Sequence, residues 1–291
     1  MTKFGVVFPQ REIGNDPAVI ADYAQTAEEL GYDYLLSYDH VLGANPDRPG
    51  GWHGPYTYKD AFHEPFVLYG YLAGLTKRIE LTTGIIILPQ RQTALVAKQA
   101  AQVDLLSGGR LRLGVGAGWN PVEYEALNED FHTRGKRYDE QVQLMRELWT
   151  QPLITFKGQY HSVPDAGINP LPVQRPIPVW FGGSAPAALK RAARLGDGWM
   201  AGGLSAENGE GVVAQLRSYL AEAGRDASAF GIDGWISANR AGPDVWPDLI
   251  QKWRNLGATH IGINTMDAGY TSVAQHLETV RRFKEVADAA G

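Results

Sequence analysis

Asp39-His40 closes an apolar run, Tyr32–Asp39, and is the pair in this chain best suited to moving a proton. Histidine changes charge near neutral pH, and a carboxylate beside it can set its orientation. The same two residues also suit a cap-and-loop hydrogen-bonding pair, so both readings stand at this point. Two glycine-rich segments suit a different task, holding a flat or anionic ligand. Gly182-Gly183-Ser184 follows an apolar run and precedes Pro186, a residue fit for the first turn of a helix. A backbone without Cβ admits a ligand closely, and the free N–H groups of a first helical turn favour an anion. A tight strand–helix turn with Ser184 as a cap uses the same residues. Gly114-Val115-Gly116-Ala117-Gly118-Trp119-Asn120 places glycine at alternate positions, which flattens one face of a strand. A planar ring fits there; so would bulky neighbours inside a barrel.

Other chemistries lack their residues. There is no cysteine, so disulfides, thiolate metal sites and a cysteine nucleophile are excluded. His53, His63, His132, His161, His260 and His276 show neither H-x-H nor H-E-x-x-H spacing, so no metal site is expected. No G-x-S-x-G supports a serine nucleophile. Arg134, Lys136 and Arg137 cluster at a helix start, where cations oppose the helix dipole. An anionic ligand group would offset them, and so would pairing with Glu129, Asp130, Asp139 and Glu140. Trp52, His53, Tyr56, Tyr58, Phe62, His63 and Phe66 crowd one long loop and its exit. They read as a lid over an apolar pocket or as a subunit interface.

The elements that must position these residues alternate from one end to the other. Strand-like runs at Lys3–Pro9, Tyr32–Asp39, Ile79–Leu88, Leu111–Gly116, Ile177–Gly182, Gly198–Gly203, Phe230–Ala238 and His260–Thr265 each precede a helical pattern. The helices are expected at Pro17–Leu30, Pro65–Thr76, Thr93–Ser107, Gly135–Thr150, Pro186–Leu195, Gly209–Ala223, Val245–Leu256 and Ser272–Ala289. Two segments break the rhythm: the long loop 41–62 and the proline-rich insertion 152–176, whose ITF and YHSV pieces suggest a small hairpin. Trp119–Arg134 reads as a loop. Strand–helix alternation implies a parallel sheet with helical cover, and eight units are the count of a (β/α)8 TIM barrel. No G-x-G-x-x-G opens the first helix, which argues against an open dinucleotide-binding sheet. Residues 1–291 are therefore expected to form one barrel domain, with its insertions at the C-terminal face.

The 291 residues are 44% hydrophobic and 20% charged with net charge −5, which predicts a soluble globular protein without the basic field that nucleic acid requires. No apolar run reaches the ~20 residues of a membrane span. The first residues enter a strand at once, which argues against a cleaved signal peptide, and a cytoplasmic location is expected.

Taken in order, these motifs resemble the bacterial-luciferase-like superfamily of flavin- and deazaflavin-dependent oxidoreductases. The likeness rests on Phe8-Pro9, on ELGYDYLLSYDHV around His40, on LTTGIIILPQRQTALVAKQAAQVDLLSGGRLRLGVGAGWNPVEYEALN, and on VWFGGSAPAALKRAARLGDGWMAGG. Within that group the chain is similar to the short F420-dependent members. The resemblance implies a ring at the C-terminal mouth of the barrel and a cis peptide at Gly84–Ile85 behind it. It implies that Gly116 and Ala117 edge the ring, and that Gly182, Gly183 and Ser184 hold a phosphate with Gly202 and Gly203 nearby. His40 would face the reactive centre as the catalytic proton carrier. Asp39, Trp52, Trp119, Asn120 and Arg137 are the candidate substrate contacts. The implied activity is F420-dependent hydride transfer to or from an apolar or aromatic small molecule. An FMN-dependent two-component monooxygenase fed by a separate reductase is the alternative, and a non-catalytic flavin-binding protein another. A homodimer is implied by the same resemblance.

Overall fold

The computed structural model describes residues 2–290. In chain order the strands are β1 (Lys3–Val7), β2 (Tyr34–Ser37), β3 (Glu80–Thr83), β4 (Ile86–Ile87), β5 (Leu111–Gly116), β6 (Ile154–Lys157), β7 (Ser162–Ala166), β8 (Val179–Gly182), β9 (Gly198–Met200), β10 (Gly231–Ser237) and β11 (His260–Asn264). The helices are α1 (Pro17–Glu29), α2 (Pro65–Leu75), α3 (Thr93–Ser107), α4 (Pro121–Ala126), α5 (Arg134–Thr150), α6 (Pro186–Leu195), α7 (Ala206–Glu222), α8 (Trp246–Asn255) and α9 (Val273–Ala289).

The barrel strands run parallel in the order β3-β2-β1-β11-β10-β9-β8-β5, and β3 pairs with β5 to close the ring. The (β/α)8 architecture is thus present. Outside it, β6 and β7 form the antiparallel hairpin of the proline-rich insertion. Helix α1 shows why the helices start where they do. The Asp16 carboxylate accepts the Ala18 N–H at 2.9 Å, Pro17 occupies the first turn, and Ile20, Tyr23, Ala24 and Ala27 turn one apolar face onto the strands.

Two expectations need correction. The run Ile79–Leu88 is not one strand: it divides into β3 and β4 around a cis Gly84–Ile85 peptide, and Leu88–Gln90 coils into a 3-10 turn. Apolar periodicity cannot register such a break, because the residues on both sides remain buried. Trp119–Arg134 is not all loop, since α4 lies within it. Asn120 accepts the Val122 N–H at 3.0 Å and Pro121 follows, a complete helix start on a helix of only six residues.

The barrel interior is layered. At its base the Arg112 guanidinium lies between the rings of Tyr34 and Trp180, 4.6 and 4.4 Å from their centroids. It donates to Glu80 at 2.5 Å and to Asp233 at 3.0 Å, and the Tyr34 hydroxyl donates to Asp233 at 2.7 Å. A side chain at Gly198 or Gly231 would collide with the Trp180 indole, with Cβ distances of 2.4 and 2.1 Å. Above this plug sit Leu36 and Met200, then Tyr38, Ile85 and Trp235. The barrel is filled up to the level of its C-terminal mouth, and the cavity begins there.

Candidate active site

The strand ends enclose a cavity of about 720 Å³. Ile85 lies low in it, flanked by Gly116 and Gly182. A Cβ at those positions would come within 2.6 and 2.9 Å of the Ile85 side chain, so both glycines are needed to seat it. Gly84, Ala117, Gly202 and Gly203 line the same cavity. At one end are Gly183, Ser184 and Ala185, where α6 begins. The residue before α6 is alanine, so no side chain caps its first N–H groups. Gly183 has φ +101, and its carbonyl accepts the Trp199 indole N–H at 2.9 Å. The nine proposed cofactor contacts are thus brought to one cavity. A flat glycine-walled slot and an uncapped helix start fit a planar ring and a phosphate.

His40 comes from the chain after β2. Its Nδ1 lies 3.0 Å from Glu123 Oε2, and the other Glu123 oxygen accepts the N–H groups of Val41 and Leu42 at 2.7 and 3.2 Å. Glu123 is fully buried and belongs to α4. Facing a carboxylate, Nδ1 carries the proton, an assignment made from the hydrogen bond. Nε2 then has no partner among the described residues. The ring is boxed by Tyr56, Phe62 and Trp119, with centroids at 5.0, 4.8 and 5.6 Å. His40, Tyr56 and Trp119 line both the main cavity and a smaller one of about 270 Å³ under the long loop.

The remaining candidate contacts separate. Asp39 lines the cavity, but its carboxylate is occupied by the Ile87 N–H at 2.9 Å and by Arg91 at 2.7 and 3.2 Å. It anchors the chain just past the cis peptide. Trp119 is 39% exposed and forms part of the mouth. Asn120 caps α4 and borders only the smaller cavity. Trp52 lines neither; it donates to the Tyr56 carbonyl at 2.7 Å and backs Trp119 at a centroid distance of 5.8 Å. Arg137 also lies away from both cavities. It is held by the Pro89 carbonyl at 2.6 Å and by Glu129 at 2.6 Å.

Sequence reasoning assigned no role to several residues of this site. Arg191, in the second turn of α6, lines the cavity and pairs with Asp139. Tyr138, Trp235, Ser237, Asn239, Arg240 and Asn264 also line it. Burial holds the phenols of Tyr38 and Tyr138 above the usual tyrosine range, so both are neutral hydroxyls. Among the described residues no group of three His, Cys, Asp or Glu could hold a metal ion, and no helix is long and apolar enough to cross a membrane.

The family model described as luciferase-like monooxygenase matches residues 2–254. The chain belongs to that family. This luciferase-like protein is 35% identical to an F420-dependent glucose-6-phosphate dehydrogenase of Amycolatopsis mediterranei over 210 residues, which are 69% of this chain and 57% of that one. It is 30% identical to an FMNH2-dependent dimethylsulfone monooxygenase of Pseudomonas putida over 259 residues, 86% and 67% of the two chains. A monooxygenase structure from Streptomyces bottropensis shares the fold, with a TM-score of 0.78 and 20% identity over 99% of each chain. The family's relatives are thus flavin- and deazaflavin-dependent oxidoreductases, and a cofactor of that class is supported for this luciferase-like chain.

Proposed function

We propose that this protein is an F420-dependent oxidoreductase acting on an apolar or aromatic small molecule, with the whole of 1–291 working as one barrel. The observation that carries the reading is the His40–Glu123 pair beside a glycine-walled slot. When bound, the deazaflavin supplies or accepts the hydride. The chain supplies the rest. Gly116, Ala117, Gly84 and Ile85 would orient the ring. Gly182, Gly183, Ser184 and the first turn of α6 would hold the phosphate, with Gly202 and Gly203 beside them. His40, held in one tautomer by Glu123, would take the hydroxyl proton at Nε2 as an alcohol gives up its hydride, and return a proton from Nε2 to the oxygen as a carbonyl receives one. Tyr56, Phe62 and Trp119 surround it with aromatic surface that excludes water and suits an uncharged, apolar reacting centre.

A second reading, an FMNH2-dependent monooxygenase fed by a separate reductase, is supported by the similarity to the dimethylsulfone enzyme. The two readings separate in one assay. Purified protein is given reduced F420 with a panel of ketones, and in parallel FMNH2 in air with apolar sulfur and aromatic compounds. The lead predicts substrate-dependent return of F420 absorbance and no substrate-dependent O2 uptake. Product-forming O2 uptake with FMNH2 alone overturns it in favour of the second.

A further inference from the structure

Four charged side chains line the main cavity: Asp39, Arg191, Arg240 and Asp267. Three of them have an opposite charge. Asp39 meets Arg91 at 2.7 Å, Arg191 pairs with Asp139, and Asp267 meets Arg11 at 2.5 Å. Arg240 has no such partner among the described residues. Only its backbone is engaged, its N–H donating to the Ser237 carbonyl at 3.0 Å. The wall around it is rich in neutral donors. Ser237 and Asn239 come from the same strand end, and Asn264 from the neighbouring β11 donates to the Tyr38 hydroxyl at 3.3 Å. Trp235, whose indole nitrogen is buried without a partner, stands behind them.

Arg240 is exposed at the rim of the cavity, so its unpaired guanidinium is open to an anionic group of a ligand that fills the mouth. Its planar fork matches the two oxygens of a carboxylate. One positive charge suits a monoanion, whereas a phosphate already has the start of α6. We propose that the wall centred on Arg240 is a carboxylate subsite, filled by a carboxylate of the ligand occupying the cavity. Two sources bring that chemistry: a substrate with an apolar body and a terminal carboxylate, or the glutamyl tail of the deazaflavin. The assignment rests on reading the cavity as the cofactor and substrate site.

The test compares full-length protein with Arg240→Gln and Arg240→Lys, following tryptophan fluorescence. The probes are 3-phenylpropionate against 3-phenylpropionamide, F420 against F420 stripped of its glutamyl residues, and FMN as a tail-free control. A substrate carboxylate predicts that Arg240→Gln weakens 3-phenylpropionate about tenfold, the strength of a charge-assisted bidentate contact, and leaves the amide unchanged. A cofactor tail predicts the same loss for intact F420 and none for the stripped form. Arg240→Lys keeps the charge and is expected to retain part of the preference. The proposal is overturned if the wild type does not prefer the acid over the amide, nor tailed over stripped F420. It is equally overturned if Arg240→Gln leaves those preferences intact, or weakens every probe alike, FMN included. Failure of the cofactor reading looks different: wild-type protein then binds neither F420 nor FMN, while the acid–amide comparison still reads Arg240.

Discussion

Replacing Glu123 by glutamine exchanges one acceptor oxygen for a donor nitrogen and changes little else. The remaining oxygen is already claimed by the N–H groups of Val41 and Leu42, so the new amide nitrogen faces His40 Nδ1. A donor there forces Nδ1 to accept, which moves the ring proton to Nε2. Glu123→Gln is therefore expected to invert the tautomer seen by nitrogen NMR and to lower kcat about a hundredfold, the usual scale of general acid–base catalysis, with cofactor affinity unchanged. An unchanged tautomer refutes this reading. His40 was legible because it ends an apolar strand, where barrel sites lie. Glu123 was not, because it acts from a six-residue helix whose length is too short to show periodicity. For the basic cluster, the pairing alternative holds at Arg137, which meets Glu129, and not its placement as a substrate contact. Charge alone does not say which arginine faces inward, and the structure turns Arg137 toward Pro89 and Glu129 while Arg191 reaches the cavity.

His260 sits at the barrel base, its ring 4.8 Å from that of Trp180. Burial, with Arg112 and Lys3 adding to it, pushes its pKa down to about 2. It is neutral in the fold, while the unfolded chain takes up a proton below roughly pH 6.5. Stability from this group is full above that value and is lost as pH falls through it. Between pH 7.5 and 5.5 the loss is about 1 kcal/mol. Burial lowers the pKa of His276 as well, which acts in the same direction. Denaturant titrations of wild type and His260→Gln at the two pH values measure the slope. The variant is expected to flatten it by that amount, whatever its absolute stability.

Among the elements, the long loop is tied to the first strand end by Arg11, in addition to its N-terminal anchor on Glu123. Arg11, just past β1, meets Asp267 at 2.5 Å and Asp60 at 3.4 Å, and its guanidinium lies 5.3 Å from the Tyr56 ring centroid. It therefore joins the strand-end rim to the loop that carries Tyr56. Arg11→Met keeps the stem and removes the charge. The expected result is faster limited proteolysis within 41–62 and a KM several-fold higher, with high salt producing part of the same effect in the wild type. Proteolysis at the wild-type rate would show that the loop is held without Arg11, by its aromatic packing and the Glu123 hydrogen bonds. The alternating elements were legible because each apolar run and each helical face keeps its own period. The split of the third strand was not, since a break within a fully buried run leaves no mark on hydrophobicity. The fold of the loop was equally hidden, because it is held by partners distant in the chain, Arg11 on Asp60 and Glu123 on Val41 and Leu42.

For the molecule as a whole, the packed helices α2 and α3 leave several large apolar side chains exposed. Val67 and Tyr71 lie one turn apart on α2 and are 72% and 44% exposed, and Leu95 and Leu106 on α3 are 52% and 56% exposed. Light scattering on the purified protein is expected to give a dimer, and Val67→Asp with Leu106→Asp a monomer. A monomeric wild type would leave this face without that role. Whether the strand-end cavity holds a phosphate-bearing deazaflavin or flavin for His40 to serve is read by titrating F420 and FMN into three proteins. Ser184 is exposed at the start of α6, so Ser184→Asp places a negative charge in the cradle without disturbing the core. The wild type is expected to bind one cofactor saturably, Ser184→Asp at least tenfold more weakly, and His40→Ala undiminished. Absence of binding by either cofactor, or affinity indifferent to Ser184→Asp, would contradict this placement of the cofactor.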